Sequence, residues 1–340
     1  MSNSTDRRRF MGSAMVGAAG AGAFLSLEEW ALKAALEADQ PPVQPRAAGA
    51  RREELSCGRI GGLQISRLML GGNLIGGYAH SRDLIYVSRL LREYNTESKI
   101  FETFEIAEAA GINMIQVAPS CVDFVCRYRK QRGGRLQMMV CVDADQTDRG
   151  KVRSQVHELI DKGVETLYTH GEVTDRRVMM GDLDSVGRTV ELIREAGVPA
   201  GIGSHSLETP IASEKARIEP DYYVKTLHPD TYWSATPVET REEWCWYHGK
   251  SQDHDRYHDN IFCLDPDRTV EFMRSVAKPW VAFKVMAAGA VPAQVGFNYA
   301  FRNGADFIIA GMFDFQVEED VAIAVKALRR SRDRERPWFS

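Results

Sequence analysis

The sequence predicts an α/β fold, a closed (β/α)8 or TIM barrel, and three observations carry that expectation. From residue 60 onward, short apolar or β-branched runs alternate with helical patterns, the signature of a parallel sheet covered by helices. Eight such runs follow one another and none reverses direction, which favours a closed barrel over an open doubly wound sheet. The chain has 340 residues, enough for a barrel of about 250 and a separate leading segment.

Residues 65–71 read as strand one, followed by a long connection over 72–100. A helical pattern near 101–110 leads through Gly111 into strand two, 113–117, and 137–142 is strand three. The helix at 152–162 passes Gly163 into strand four, 166–169; the helix at 186–196, ended by Gly197, precedes strand five, 200–203. Strand six is 221–226, and a second long insertion, 227–268, separates it from the helix at 269–276 and strand seven, 280–285. The helix at 293–303, with Gly304 as its C-cap, leads to strand eight, 307–310, and 318–329 closes the barrel. Both long connections leave the C-terminal ends of strands, the side on which barrel active sites form. The chain thus divides into a leading segment (1–38), a linker (39–59) and a barrel domain (60–340).

Composition is ordinary for a globular enzyme, with 44% hydrophobic and 26% charged residues. A net charge of −4 and the lack of a basic stripe argue against a nucleic-acid partner. Beyond the N-terminus no apolar run approaches the roughly 18 residues needed to span a bilayer, so no integral membrane span is expected in the mature form. The N-terminus differs in kind. Asp6-Arg7-Arg8-Arg9-Phe10-Met11 resembles the bacterial twin-arginine consensus, and a Gly/Ala-rich apolar stretch follows it over 12–27. The resemblance implies recognition by the twin-arginine translocation machinery and a periplasmic or otherwise exported protein. Of the six cysteines, none forms a CxxC pair; buried thiols are expected, with Cys245 and Cys263 the pair best placed to bridge one insertion.

Several segments together resemble the aldo/keto reductase superfamily over roughly 60–330. They are Ser66 to Gly71, Ala109 to Ile115, Leu167-Tyr168-Thr169-His170 and Gly201-Ile202-Gly203-Ser204-His205. The resemblance implies a TIM barrel and places an Asp, a Tyr, a Lys and a His around a nicotinamide. Here Gln116, Cys121 and Val142 stand at the first three positions, and only His170 survives. Without the Tyr, no group of suitable pKa protonates a carbonyl during hydride transfer. Asp314, Glu318, Glu319 and Asp320 follow Gly311, where the NADPH phosphate wants Lys or Arg. NADP therefore remains an alternative cofactor, for a reductase with a rebuilt proton relay.

What could replace that chemistry is a set of polar residues just beyond the strands. His170, His205 and His228 follow strands four, five and six, so their imidazoles could converge on one divalent metal (Zn, Mn or Fe), or hydrogen-bond a substrate as neutral rings. Glu172, two residues past His170, could complete the shell or act as base. Lys225 and Lys284 lie in otherwise apolar strands, costly positions unless paired or functional. The pair resembles that of deoxyribose-phosphate aldolases, in which a strand-six lysine forms the Schiff base and a strand-seven lysine depresses its pKa. Lys284 is the stronger candidate because small residues follow it. Asn73 and Asp143 point to the same face, and the second insertion carries Trp246, His258 and Asp259 as an aromatic and polar lid over a sugar-like ligand. The expectation is an exported non-redox, metal-assisted lyase, isomerase or hydrolase acting on a carbohydrate or polyhydroxylated carbonyl compound, with Lys284, Glu172 and His170 in the chemistry. An exported barrel that binds its ligand without catalysis is the alternative from another class.

Overall fold

A computed structural model describes residues 54–80, 84, 86–242 and 261–339. A hairpin comes first, β1 (Cys57–Ile60) and β2 (Leu63–Ser66), joined by Gly61 and Gly62. Gly61 has φ 55°, the backbone conformation a two-residue hairpin turn demands. Eight parallel strands then close into a barrel in chain order: β3 (Leu68–Gly71), β4 (Met114–Val117), β5 (Gln137–Val142), β6 (Thr166–Thr169), β7 (Ala200–Ser204), β8 (Tyr222–Thr226), β9 (Trp280–Phe283) and β10 (Phe307–Ala310). β10 pairs with β3 to complete the ring.

Every expected barrel strand is present, within three residues of its expected ends. Part of the first run belongs instead to the hairpin, which also takes in residues 57–59. Ile60 and Ile65 of the hairpin pack with Met69, Met114, Met139 and Phe307 inside the barrel and close the N-terminal end of the strands. Fully burying each isoleucine contributes roughly 1.5–3 kcal/mol.

Strand alternation sorts the remaining side chains. Tyr168, Tyr222 and Val224 fill the interior, whereas Leu167, Tyr223 and Leu227 face the covering helices. The interior tyrosines explain two glycines of β7. A Cβ on Gly201 would lie 2.5 Å from the Tyr222 ring, and one on Gly203 would lie 2.3 Å from the Thr169 carbonyl oxygen.

Three helices begin three residues earlier than their apolar periodicity suggests. Arg149–Asp161, Leu183–Glu195 and Pro266–Ser275 each open on an aspartate cap, with Asp148, Asp182 and Asp265 accepting from the backbone N–H of Lys151, Ser185 and Arg268. No helix among the described residues is long and apolar enough to cross a membrane.

Candidate active site at the C-terminal mouth

His170 follows β6 and is the N-cap residue of the helix Gly171–Met179. Its Nδ1 is buried and has no hydrogen-bond partner. Burial pushes its pKa down and Lys284 adds to that, against the raising effect of Glu172, Asp143 and Asp175. The same helix carries Asp175, which is 1% exposed.

His205, just past β7, donates to Asp175 Oδ2 from its backbone N–H at 2.7 Å, and its Nδ1 lies 3.1 Å from the same oxygen. Thr209 Oγ1 donates to Asp175 Oδ1 at 2.7 Å. Burial lifts Asp175 to about 7, against the hydrogen bonds it accepts from His205, Thr209 and Ser206. His205 is driven well below the usual histidine value, first by burial and then by Lys284, His170 and Lys225. A neutral imidazole with its Nδ1 on a carboxylate leaves Nε2 as the nitrogen turned away from the acid, the orienter-and-base arrangement of many catalytic histidines. Gly171 makes room for it: a Cβ there would lie 3.1 Å from His205 Cε1 and 3.2 Å from Nδ1.

Lys284 leaves β9 with φ 55°, and Ala287 and Ala288 just beyond it also have positive φ, 46° and 56°. Non-glycine residues in this region cost free energy and concentrate at functional sites. The half-buried Lys284 places Nζ 2.6 Å from His80 Nε2 and 4.0 Å from the centroid of the Phe262 ring. His80 packs edge-on against Phe262 at 5.1 Å, and His205 against Phe283 at 5.3 Å.

Two expected site residues serve structure instead. His228 donates from Nδ1 to the Pro229 carbonyl at 2.8 Å, and its Nε2 accepts from the backbone N–H groups of Phe262 and Cys263 at 3.1 and 3.0 Å. Both ring nitrogens are thus committed to backbone, which rules out the expected three-histidine metal site. Among the described residues no group of three or more His, Cys, Asp or Glu side chains is arranged to hold a metal ion. Lys225 is also corrected. Strand alternation puts it on the outer face of β8, where its Nζ donates to the Thr226 carbonyl and hydroxyl at 3.0 and 2.8 Å and lies 4.0 Å from Cys263 Sγ. Cys263, expected to bridge to Cys245, is a buried free thiol.

The other candidates are spread around the rim. Glu172 accepts from Arg176 at 2.8 Å, one helical turn away, so its carboxylate is already engaged. Asp143 accepts from Gln155 at 2.5 Å and is exposed, as is Asn73 at the start of a short helix. Trp246, His258, Asp259 and Cys245 lie outside the described residues, as do residues 1–53 with the arginine motif.

Asp175 and His80 were not legible as site residues. Asp175 sits mid-helix with no motif around it, and His80 is a single imidazole in a long connection.

The nicotinamide positions fit poorly. Gln116 donates to Tyr168 OH at 2.8 Å inside the barrel, and Val142 packs under the helices. Asp314, after β10, accepts from Tyr94 OH at 2.6 Å and Lys99 Nζ at 3.1 Å, so the nearby cation is already neutralised by an acid.

No protein-family model matches the sequence, and no curated protein matches it. By structure the barrel is similar to a protein from Pseudomonas aeruginosa described as an aldo-keto reductase, with a TM-score of 0.55 and 15% identity over 82% of this chain and 98% of that one. A second solved structure, of an aldo-keto reductase-type protein from the same organism, gives a TM-score of 0.54 and 17% identity over 82% of this chain and 98% of that one. At such identity the likeness is one of fold. The fold they share is the closed eight-stranded (β/α)8 TIM barrel.

Proposed function

We propose that this chain is an exported, non-redox barrel enzyme that moves protons on a small polyhydroxylated carbonyl compound, as a lyase or isomerase. The observation that carries this reading is the buried Asp175–His205 pair standing near Lys284 at the mouth. Asp175 fixes the ring and its tautomer, so that neutral His205 Nε2 is the base for a proton α to a carbonyl. Lys284 supplies positive charge against the oxygen on which negative charge develops. His170, whose Nδ1 lacks a partner, is placed to hydrogen-bond a substrate hydroxyl.

The test is solvent exchange. A panel of hydroxyaldehydes, ketoses and sugar acids in D2O is followed by NMR for deuterium at the carbon next to the carbonyl. His205→Asn and Asp175→Asn should each slow exchange on the order of 10²–10⁴-fold, the usual contribution of a positioned base. Turnover only with a nicotinamide, with no exchange, would replace this reading by the reductase. NADPH is expected to bind weakly, given Gln116, Cys121 and the acidic Asp314 loop.

Export is part of the same proposal and rests on Arg7 and Arg8. The double variant Arg7→Lys/Arg8→Lys should hold the protein in the cytoplasm. Unchanged export of that variant would remove the twin-arginine assignment.

A further inference from the structure

We infer that Lys284 acts as a nucleophile, forming an imine with the carbonyl carbon of an aldehyde or ketone substrate, with His80 as its proton acceptor and donor. This rests on the proposed carbonyl chemistry and deepens it, because charge alone does not require what surrounds Nζ. A lysine needs a base within hydrogen-bond reach to become a free amine, and His80 Nε2 stands 2.6 Å from Nζ. Either an ammonium donates to an unprotonated Nε2 or an Nε2–H donates to the free amine, and the two forms differ by transfer of one proton along this contact. The Phe262 ring lies 4.0 Å below Nζ and favours a cation at that position, the ammonium before reaction and the iminium after it. The left-handed backbone at Lys284, Ala287 and Ala288 fixes how this side chain leaves β9. Phe262 is itself held: its N–H and that of Cys263 bind His228 Nε2, and its carbonyl accepts from Thr226 Oγ1 at 2.9 Å. Lys225, the other strand lysine, hydrogen-bonds Thr226 and, among the described residues, has no such base beside its Nζ.

The step balances without any further reactant. The ammonium passes one proton to His80 Nε2, and the free amine attacks the carbonyl carbon. The oxygen takes a proton from the nitrogen to give a carbinolamine. His80 returns its proton to the hydroxyl, water leaves, and a carbon–nitrogen double bond forms with the positive charge on nitrogen. His205 then faces a substrate whose α-proton is acidified by the iminium.

Reductive trapping tests this. The full-length protein is incubated with glycolaldehyde and sodium borohydride, and peptide mass spectrometry locates lysines carrying one added hydroxyethyl group. Lys284 should be trapped at least about tenfold faster than the exposed Lys130 and Lys326, and Lys225 should stay unmodified. His80→Gln should slow trapping at Lys284 about tenfold or more without changing Lys130. Lys284→Arg keeps the charge and should abolish both the fast trapping and α-exchange while circular dichroism stays native. Trapping at Lys284 no faster than at Lys130, with α-exchange present, overturns the imine and leaves the proton-transfer reading standing. Absence of both overturns the functional reading itself. An unchanged rate in His80→Gln removes His80 from the step.

Discussion

Asp306, at the N-terminal end of β10, and Asp175, at the opposite end of the barrel, are both carboxylates with almost no exposed surface, 0% and 1%. Their surroundings differ. Asp306 is gripped by Arg334 and Arg336 at 2.7 and 2.8 Å, and also accepts from the backbone N–H groups of Trp280 and Phe339. Arg67 and Arg334 lie over the Trp338 ring at 4.2 and 3.4 Å, so the C-terminal tail is tied to the floor of the barrel. Asp175 has a neutral histidine, a threonine hydroxyl and backbone amides, and burial lifts it to about 7. Equal burial therefore has opposite consequences. Where arginines answer the charge, the carboxylate is a clamp; where they do not, burial lifts the acid to about 7 and holds its histidine neutral.

The largest effect that can break this comparison is at the floor. Asp306→Asn leaves two guanidinium groups buried without a counter-charge, and should destabilise the fold by about 3–5 kcal/mol. Asp175→Asn should cost much less stability, while stopping exchange. Urea unfolding of both variants gives the answer. A loss under about 1 kcal/mol in Asp306→Asn, or equal losses in the two, would show that the two ends do not differ as described.

The fold was legible because a parallel barrel repeats one signal eight times, although the helices Val122–Arg132 and Glu208–Lys215 were not read from the sequence. The hairpin escaped because Ile60-Gly61-Gly62-Leu63 lies between a linker and a strand, with the turn signal inside one apolar run. Of the site, His170, His205 and Lys284 were legible from their places just beyond strands. The geometry that gives them roles was not. His228 occupies the same formal position as His205, yet it is consumed by the backbone of a chain segment more than thirty residues away. Lys225 reads like Lys284 until strand parity is fixed, and a one-residue difference in register separates outer face from mouth. Asp175 is a distant partner in sequence that only packing brings to His205.

His228 offers a smaller effect that sharpens the same contrast. Burial lowers its pKa to about 4, from an unfolded value of roughly 6.5. The folded state therefore binds fewer protons, and the contribution is fully present above pH 6.5 or so. It is lost as pH falls towards 4, with a total of about 3 kcal/mol. His170 and His205 act in the same direction, while Asp175 and Asp320, both lifted to about 7, act in the opposite one. The difference between parent and His228→Asn isolates the one ring. The stability gap should be widest at neutral pH and narrow between pH 6.5 and 4. A gap independent of pH would mean that His228 is not held neutral by its backbone partners.

The smallest change probes how closely the Asp175–His205 pair is set. Gly171→Ala should raise the intrinsic helix preference of its segment by up to about 1 kcal/mol, since alanine is the better helix former. Its new methyl meets the His205 ring at 3.1–3.2 Å, tighter than ordinary van der Waals contact, and the backbone N–H of Ser204 at 3.5 Å. The ring, held by its own backbone, by Asp175 and against Phe283, is the part that can give way. Stability should therefore stay within about 1 kcal/mol of the parent, the two effects offsetting each other. The His205 Nδ1–Asp175 contact should lengthen, and α-exchange should fall about tenfold because displacing a base by a few tenths of an ångström weakens its reach. Imidazole proton shifts in NMR read the contact, and deuterium incorporation reads the chemistry. Unchanged exchange with a displaced ring would show that His205 is a packing residue, leaving His170 and Lys284 as the groups that act on substrate.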